Sequence, residues 1–186
     1  MIRPARPDDA PFVAPLMVQA MKSFACVITC SDDPINGLPV FEHFFRLPHN
    51  QYSYENTYVF EDEKGIAGSI SSYDGALLDE YRIPFFEYLA TNYGFWDFGS
   101  DRETIPEEYY IDTLSVYPAM QGKGIGRKLI SVALKRARQL SDKPPGLIVS
   151  VANEKAKGLY LSLGFEIVGK RMFAGVLHEH LQVIHD

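Results

Sequence analysis

The stretch Gln121-Gly122-Lys123-Gly124-Ile125-Gly126-Arg127 has the composition of an anion site. Three glycines at alternate positions let the backbone turn tightly and come close to a ligand. The residues that follow carry Ile130, Ala133, Ala137 and Leu140 on one helical face, with Lys128, Ser131, Lys135 and Arg138 opposite. The loop therefore opens an amphipathic helix. The first N–H groups of such a helix have no partner inside it, and they lie along a dipole that favours negative charge. Lys123, Arg127 and Lys128 add cations, so the expected ligand is a phosphate or pyrophosphate. Two familiar cradles do not fit the spacing. The P-loop needs GxxxxGK[ST], and the dinucleotide fingerprint GxGxxG needs a third glycine where Arg127 stands.

Metal chemistry is not expected. Cys26 and Cys30 are four apart, which on a helix puts both on one face. They read as two small buried apolar side chains, because His43 is the one further ligand type nearby and two cysteines make no disulfide framework. His178 and His180 flank Glu179 and share a face on a strand, yet no third ligand is evident.

The elements that must position the loop follow from periodicity and punctuation. Met1 to Ala5 reads as a short strand. A helix follows Pro7, with Asp8 and Asp9 in its first turn and Phe12, Val13, Leu16, Met17 and Ala20 at helical spacing. Tyr58–Phe60 and Ile66–Tyr73 read as a hairpin, and Tyr109–Val116 as a strand closed by Pro118. The helix Gly124–Leu140 stops before Pro144-Pro145-Gly146. A buried strand Leu147–Val151, a short helix Glu154–Leu163 ended by Gly164, and strands near Phe165–Arg171 and Val176–Ile184 complete the chain. Strands and helices mix without strict alternation, so the fold class is α/β of the α+β type, a mixed sheet covered by helices.

At 186 residues, 46% hydrophobic and 23% charged, the chain suits one soluble domain over residues 1–186. A net charge of −6 argues against nucleic acid as the main partner. There is no apolar run near the ~18 residues that a membrane span needs. The start, MIRPARPDDA, lacks a signal-peptide core, and a cytoplasmic protein is expected.

The segment IDTLSVYPAMQGKGIGRKLISVAL resembles the acetyl-CoA-binding motif of the GNAT family of N-acetyltransferases. The family signature Q/R-x-x-G-x-G/A is met by Gln121, Gly124 and Gly126. Residues 151–165 resemble its downstream element N-x-x-A-x-x-x-Y-x-x-x-G-F, at Asn153, Ala156, Tyr160, Gly164 and Phe165. The resemblance implies a largely antiparallel central sheet of about six to seven strands flanked by helices. It implies acetyl-CoA as co-substrate, with its pyrophosphate on Gln121, Gly122, Lys123, Gly124, Ile125, Gly126 and Arg127. The pantetheine arm would lie beside Leu114, Ser115 and Val116, where an amide near Val116 would polarise the thioester carbonyl. Asn153 matches a cofactor-touching position, and equally caps the next helix. Tyr160 matches the general acid for the departing thiolate, and equally reads as a core aromatic. Lys157 reads as a phosphate ligand or as a solvated charge.

The family motif does not name the group that takes the acceptor's proton. Glu108 and Asp112, at the start of and within the central strand, are the candidates; as an alternating strand, Asp112 shares a face with Tyr110 and Leu114. Residues 74–108 fall outside the resemblance. They hold nine acids (Asp74, Asp79, Glu80, Glu87, Asp97, Asp101, Glu103, Glu107, Glu108) against Arg82 and Arg102, with eight aromatics from Tyr81 to Phe98. Such a segment could hold a cationic amine by ion pairing and cation–π contact, or pack as an amphipathic helix or dimer surface. The resulting expectation is an acetyl-CoA-dependent N-acetyltransferase acting on a cationic primary amine in a ternary complex, without metal. A non-catalytic acyl-CoA sensor and a homodimer remain open.

Overall fold

The computed structural model describes residues 1–96 and 102–184; Asp97, Phe98 and Asp101 of the acidic segment lie outside the described residues. The strands are β1 Ile2–Pro4, β2 Thr57–Asp62, β3 Gly65–Asp74, β4 Tyr109–Val116, β5 Pro145–Ser150, β6 Phe165–Phe173 and β7 Val176–Val183. The helices are α1 Ala10–Ala20, α2 Lys22–Ile28, α3 Leu38–Arg46, α4 Leu78–Tyr93, α5 Ile125–Leu140 and α6 Glu154–Leu161. The strands form one sheet in the order β1-β2-β3-β4-β5-β7-β6. Every pairing in it is antiparallel except β4 with β5. The expected mixed, largely antiparallel sheet is the one observed.

Each face of the sheet is closed by its own apolar layer. On one side Ile125, Leu129, Ile130 and Ala133 of α5 pack on Ile70, Ile111, Val116 and Leu147. On the other, Val13 and Met17 of α1, Phe41, Phe44 and Phe45 of α3, and Phe85 and Leu89 of α4 surround Tyr52 and Val59. Burying a side chain of this size stabilises the fold by about 1.5–3 kcal/mol. The aromatics of the acidic segment belong to this second layer: the Phe85 ring meets those of Phe44 at 5.0 Å and Tyr52 at 4.9 Å. Several of its acids have partners within the fold. Asp74 pairs with Lys143, Asp79 with Arg102, and Glu103 faces Arg82. The described part of the segment is thus a packed helix and its return.

Two irregularities of β4 matter for function. First, its register with β3 slips between Ser71↔Thr113 and Ser72↔Ile111, leaving Asp112 as the extra residue of a bulge. The bulge changes the parity of the strand, so Ile111 before it and Leu114 and Val116 after it pack in the same layer with α5. Asp112 therefore stays with Tyr110 but not with Leu114, as uninterrupted alternation had implied. Second, β4 and β5 pair only at Tyr109↔Pro145 and Tyr110↔Gly146. Beyond that point the two strands part and open a wedge in the sheet.

The cysteines do not form the expected buried face. Helix α2 ends at Ile28, Cys26 is half-buried, and Cys30 lies exposed past the helix with φ 49°. Among the described residues no single helix is long and apolar enough to cross a membrane.

Candidate active site

The wedge between β4 and β5 is the floor of a cavity of about 730 Å³. Its walls are the end of α1, the 121–127 loop and the start of α6. The structure brings to it Asp112, Leu114, Ser115, Val116, Gln121, Gly122, Gly124, Ile125, Gly126, Arg127, Asn153 and Tyr160, most of the residues singled out from sequence. Three others are elsewhere. Lys123 is exposed beside Met120, and Lys157 is held by Glu154 at 2.8 Å and Glu179 at 3.3 Å. Glu108 is fully buried below the wedge, where its carboxylate accepts from Thr104 Oγ1 (2.6 Å), His180 Nε2 (2.7 Å) and Gln182 Nε2 (2.8 Å). Burial works to raise its pKa, but these donors outweigh burial and hold it below the ordinary carboxylate range. Its lone pairs are engaged in joining strands. The described residues of the acidic segment do not line the cavity.

One end of the cavity suits phosphate. Gly122 and Gly124 adopt φ +77° and +75°, a region strained for any side chain. Gly124 is also the N-cap of α5, and no side chain caps that helix, so its leading N–H groups face the cavity wall unpartnered by a cap. Gly126 is different. Its φ is not positive, and a Cβ there would meet only Leu159, at an ordinary 3.4 Å. Neither a positive φ nor a backbone clash at Cβ requires glycine at 126. Arg127 bonds Ser162 Oγ at 2.8 Å, and Lys155 reaches Gln121 Oε1 at 2.8 Å, placing two cations around the loop.

The middle of the cavity is the free edge of β4. The Val116 carbonyl accepts from Gln19 Nε2 (3.0 Å) and Gln121 Nε2 (3.1 Å), and Gln19 also donates to Ser115 Oγ (2.8 Å). These are donors that an extended ligand lying along β4 would replace. Asn153 Oδ1 caps α6 by accepting from Ala156 N at 3.2 Å, as the capping reading expected, and the residue also lines the cavity. Tyr160 is 8% exposed, packs its ring on Phe165 at 5.8 Å, and lines the cavity. Burial pushes its phenol up to about 12, so it stays a proton-bearing donor across the working range.

At the far end stand Asp112 and His178. Burial, then the charge of Glu103, pushes the Asp112 carboxyl well above its usual range, and Oδ2 has no hydrogen-bond partner. The Val176 carbonyl can only accept, so His178 Nδ1 carries the hydrogen of their 2.9 Å contact. Burial lowers the His178 pKa, which leaves Nε2 a bare acceptor. Gln19, Lys22, Lys155 and His178 line the cavity but were not selected from sequence. Gln19 reaches Ser115 across 96 positions, which no local pattern encodes. Lys155 had a signal, two residues past Asn153 in the first turn of a helix.

A model of the Acetyltransferase (GNAT) family matches residues 31–165. The chain is 43% identical over 72 residues to the N-alpha-acetyltransferase RimI of Mycobacterium tuberculosis, a stretch that is 37% of this chain and 41% of that protein. It thus spans under half the length of that relative. An N-acetyltransferase from Staphylococcus aureus Mu50 superposes with a TM-score of 0.83 at 25% identity, covering 98% of this chain and 100% of the other. The acetyltransferase-like yncA of Salmonella typhimurium, solved with its cofactor acetyl-CoA, shares the fold at a TM-score of 0.58 and 20% identity, over 100% of this chain and 94% of the other. With its glycine loop, parted β4 and β5, and family match over most of its length, the chain belongs to the GNAT family of acetyltransferases.

Proposed function

We propose that the protein is an acetyl-CoA-dependent N-acetyltransferase that acts on a primary amine arriving as a cation. The observation that carries this reading is Gly126, where neither a positive φ nor a backbone clash requires glycine, set in the wall of the cavity beside an uncapped helix start. A CoA thioester suits the three zones in turn. Its pyrophosphate would rest on the 121–127 loop, with Arg127 and Lys155 at its flanks. Its extended arm would run along Leu114 to Val116 by displacing the side-chain amides of Gln19 and Gln121. Asn153 would face that arm.

In the transfer, the amine nitrogen attacks the thioester carbonyl carbon, the new C–N bond forms, and the C–S bond breaks. The Val116 amide is the proposed donor to the carbonyl oxygen, and the Tyr160 hydroxyl the donor to the departing sulfur. The amine must lose a proton. Among the described residues Asp112 is the one carboxylate in the lining, and in its ionised form, with its pKa raised by burial, it is the group proposed to receive that proton. Glu108, committed to His180, Gln182 and Thr104, is assigned a structural part. Equilibrium binding separates this reading from a nucleotide-binding one: CoA and acetyl-CoA should bind, with ATP and NAD weaker. ATP or NAD binding more tightly than CoA would overturn it.

A further inference from the structure

The proton balance of the transfer asks for a second acceptor. A primary ammonium arrives with three N–H bonds and ends in an amide with one, so its nitrogen sheds two protons. Asp112 takes the first, which frees the lone pair. Attack then forms the C–N bond, moves the carbonyl pair onto oxygen and leaves the nitrogen positively charged. While it keeps that charge it can be expelled again as a neutral amine, and the adduct falls back. The second proton must therefore leave before the C–S bond breaks. By then Asp112 is protonated, Glu108 is committed to His180, and Tyr160 has to keep its hydrogen for the sulfur. Of the other titratable side chains in the described lining, Lys22, Arg127 and Lys155 are cations. His178 is left to accept.

Its tautomer and its place both suit that step. Nδ1 lies 2.9 Å from the Val176 carbonyl, which can only accept, so the ring hydrogen sits on Nδ1 and the lone pair on Nε2. The ring stands edge-on to Phe173 at 6.2 Å, and Phe173 stacks on Phe24 at 5.3 Å. In register, His178 is opposite Ser150 of β5, another residue of the cavity wall. β4 and β5 run parallel from Tyr110↔Gly146. Counted from there, with Asp112 set aside as the extra residue of the bulge, Ser150 comes level with Ser115. His178 thus stands across the wedge, between the level of Asp112 and that of the Val116 amide assigned to the carbonyl oxygen. Its surroundings keep it free to accept. Glu179, next in the strand, turns to Lys157 at 3.3 Å. Arg171 of β6 is its register partner, and burial lowers its pKa.

We propose that His178 is a second catalytic base of the transfer, whose Nε2 takes the proton that the amine nitrogen sheds after attack. This role rests on the acetyl-transfer reading given above. As Nε2 gains its hydrogen the carbonyl re-forms, and the C–S bond breaks with its electron pair on sulfur. The Tyr160 hydrogen passes to that sulfur. Of the two protons shed by nitrogen, one restores Tyr160 and the other goes to solvent.

The test follows the rate of a single turnover against pH for the wild type and His178→Gln. Acetyl-CoA is saturating, and the acceptor is the fastest of spermidine, a lysine-containing peptide and a peptide with a free N-terminus. Glutamine keeps an acceptor oxygen near the place of Nε2 but takes no proton. It should lower the rate about 10²-fold or more, with acetyl-CoA affinity unchanged. In acid the wild-type rate should fall with the square of the proton concentration, since Asp112 and His178 must both be unprotonated. The rate of the variant should fall with the first power. Wild-type speed or wild-type steepness in His178→Gln overturns the proposal. No acetylated product from the wild type with any acceptor overturns the acetyl-transfer reading itself, a different failure. Nitrogen NMR of His178 in the wild type needs no variant to fold. At neutral pH it should find the hydrogen on Nδ1 and none on Nε2, and a hydrogen on Nε2 would also overturn the proposal.

Discussion

Glu108 Oε2 lies 2.7 Å from His180 Nε2, and this contact ties the foot of β4 to β7 across β5 at the point where β4 and β5 begin to part. Gly146 makes room for it, since a Cβ at 146 would sit 2.0 Å from Oε2 and 2.7 Å from Cδ of the same carboxylate. The wedge that holds the cavity is thus clamped at its narrow end. Glu108→Ala leaves the donors of His180, Gln182 and Thr104 unpaired in the interior and should cost about 3 kcal/mol. Gly146→Ala should cost a comparable amount. By contrast, Gly158→Ala in α6, where a Cβ meets nothing within 4 Å, should stabilise by about 0.5–1 kcal/mol. The sign with pH follows from the lowered Glu108 pKa. Its contribution is full above the unfolded carboxylate value and is lost as pH falls through the lower folded value. Thermal unfolding in acid should show a steeper loss in the wild type than in Glu108→Gln.

Replacing Gly126 by Leu separates ligand binding from folding. A Cβ there meets only Leu159 at 3.4 Å, so the melting temperature should change little. Binding of acetyl-CoA, followed by calorimetry, should weaken at least 100-fold, about 2.7 kcal/mol. Retained affinity would remove the loop from the cofactor site.

Asp112→Asn should be more stable and inactive. A carboxyl whose folded pKa is raised adds stability only below its unfolded value, and loses it as pH rises to the folded value. At neutral pH the wild type therefore bears a cost that asparagine removes. A gain of about 1 kcal/mol would raise Tm by ~2–4 °C in a chain of this size. Differential scanning calorimetry paired with a turnover assay reads both effects, and equal Tm values would contradict the burial argument.

Tyr160→Phe removes one hydroxyl from a buried ring that keeps its packing on Phe165. Turnover should fall about 10²–10⁴-fold, the usual size of an acid–base contribution, with CoA affinity little changed. Unaltered kcat would leave Tyr160 as a core aromatic.

The glycine loop, β4, α5 and α6 were legible in the sequence because each is carried by local chemistry: alternate glycines, a strand closed by Pro118, a 3.6-residue stripe, and an Asn cap. Asp112 and Tyr160 came with them. What stayed hidden depends on relations across the sheet. The bulge at Asp112 exists only as a register slip against β3, and it changes which residues share a face. The Glu108 carboxylate looked like a base at the start of a strand until His180 and Gln182, 72 and 74 positions away, closed on it. The −7 of residues 74–108 suggested a cation pocket, since sequence shows charge but not direction. In the fold several of those acids turn to Lys143, Arg102, Arg82 and His180.

The most direct test of the central claim is to follow CoA thiol release and N-acetylated product together, by absorbance and mass spectrometry. Acetyl-CoA would be supplied with a panel of polyamines, basic peptides, peptide N-termini and anionic amino acids. The proposed reaction predicts thiol and acetyl-amine in equal amounts, each requiring both substrates. Tight acetyl-CoA binding with no acetylated product from any amine would contradict it and mark the protein as an acyl-CoA sensor.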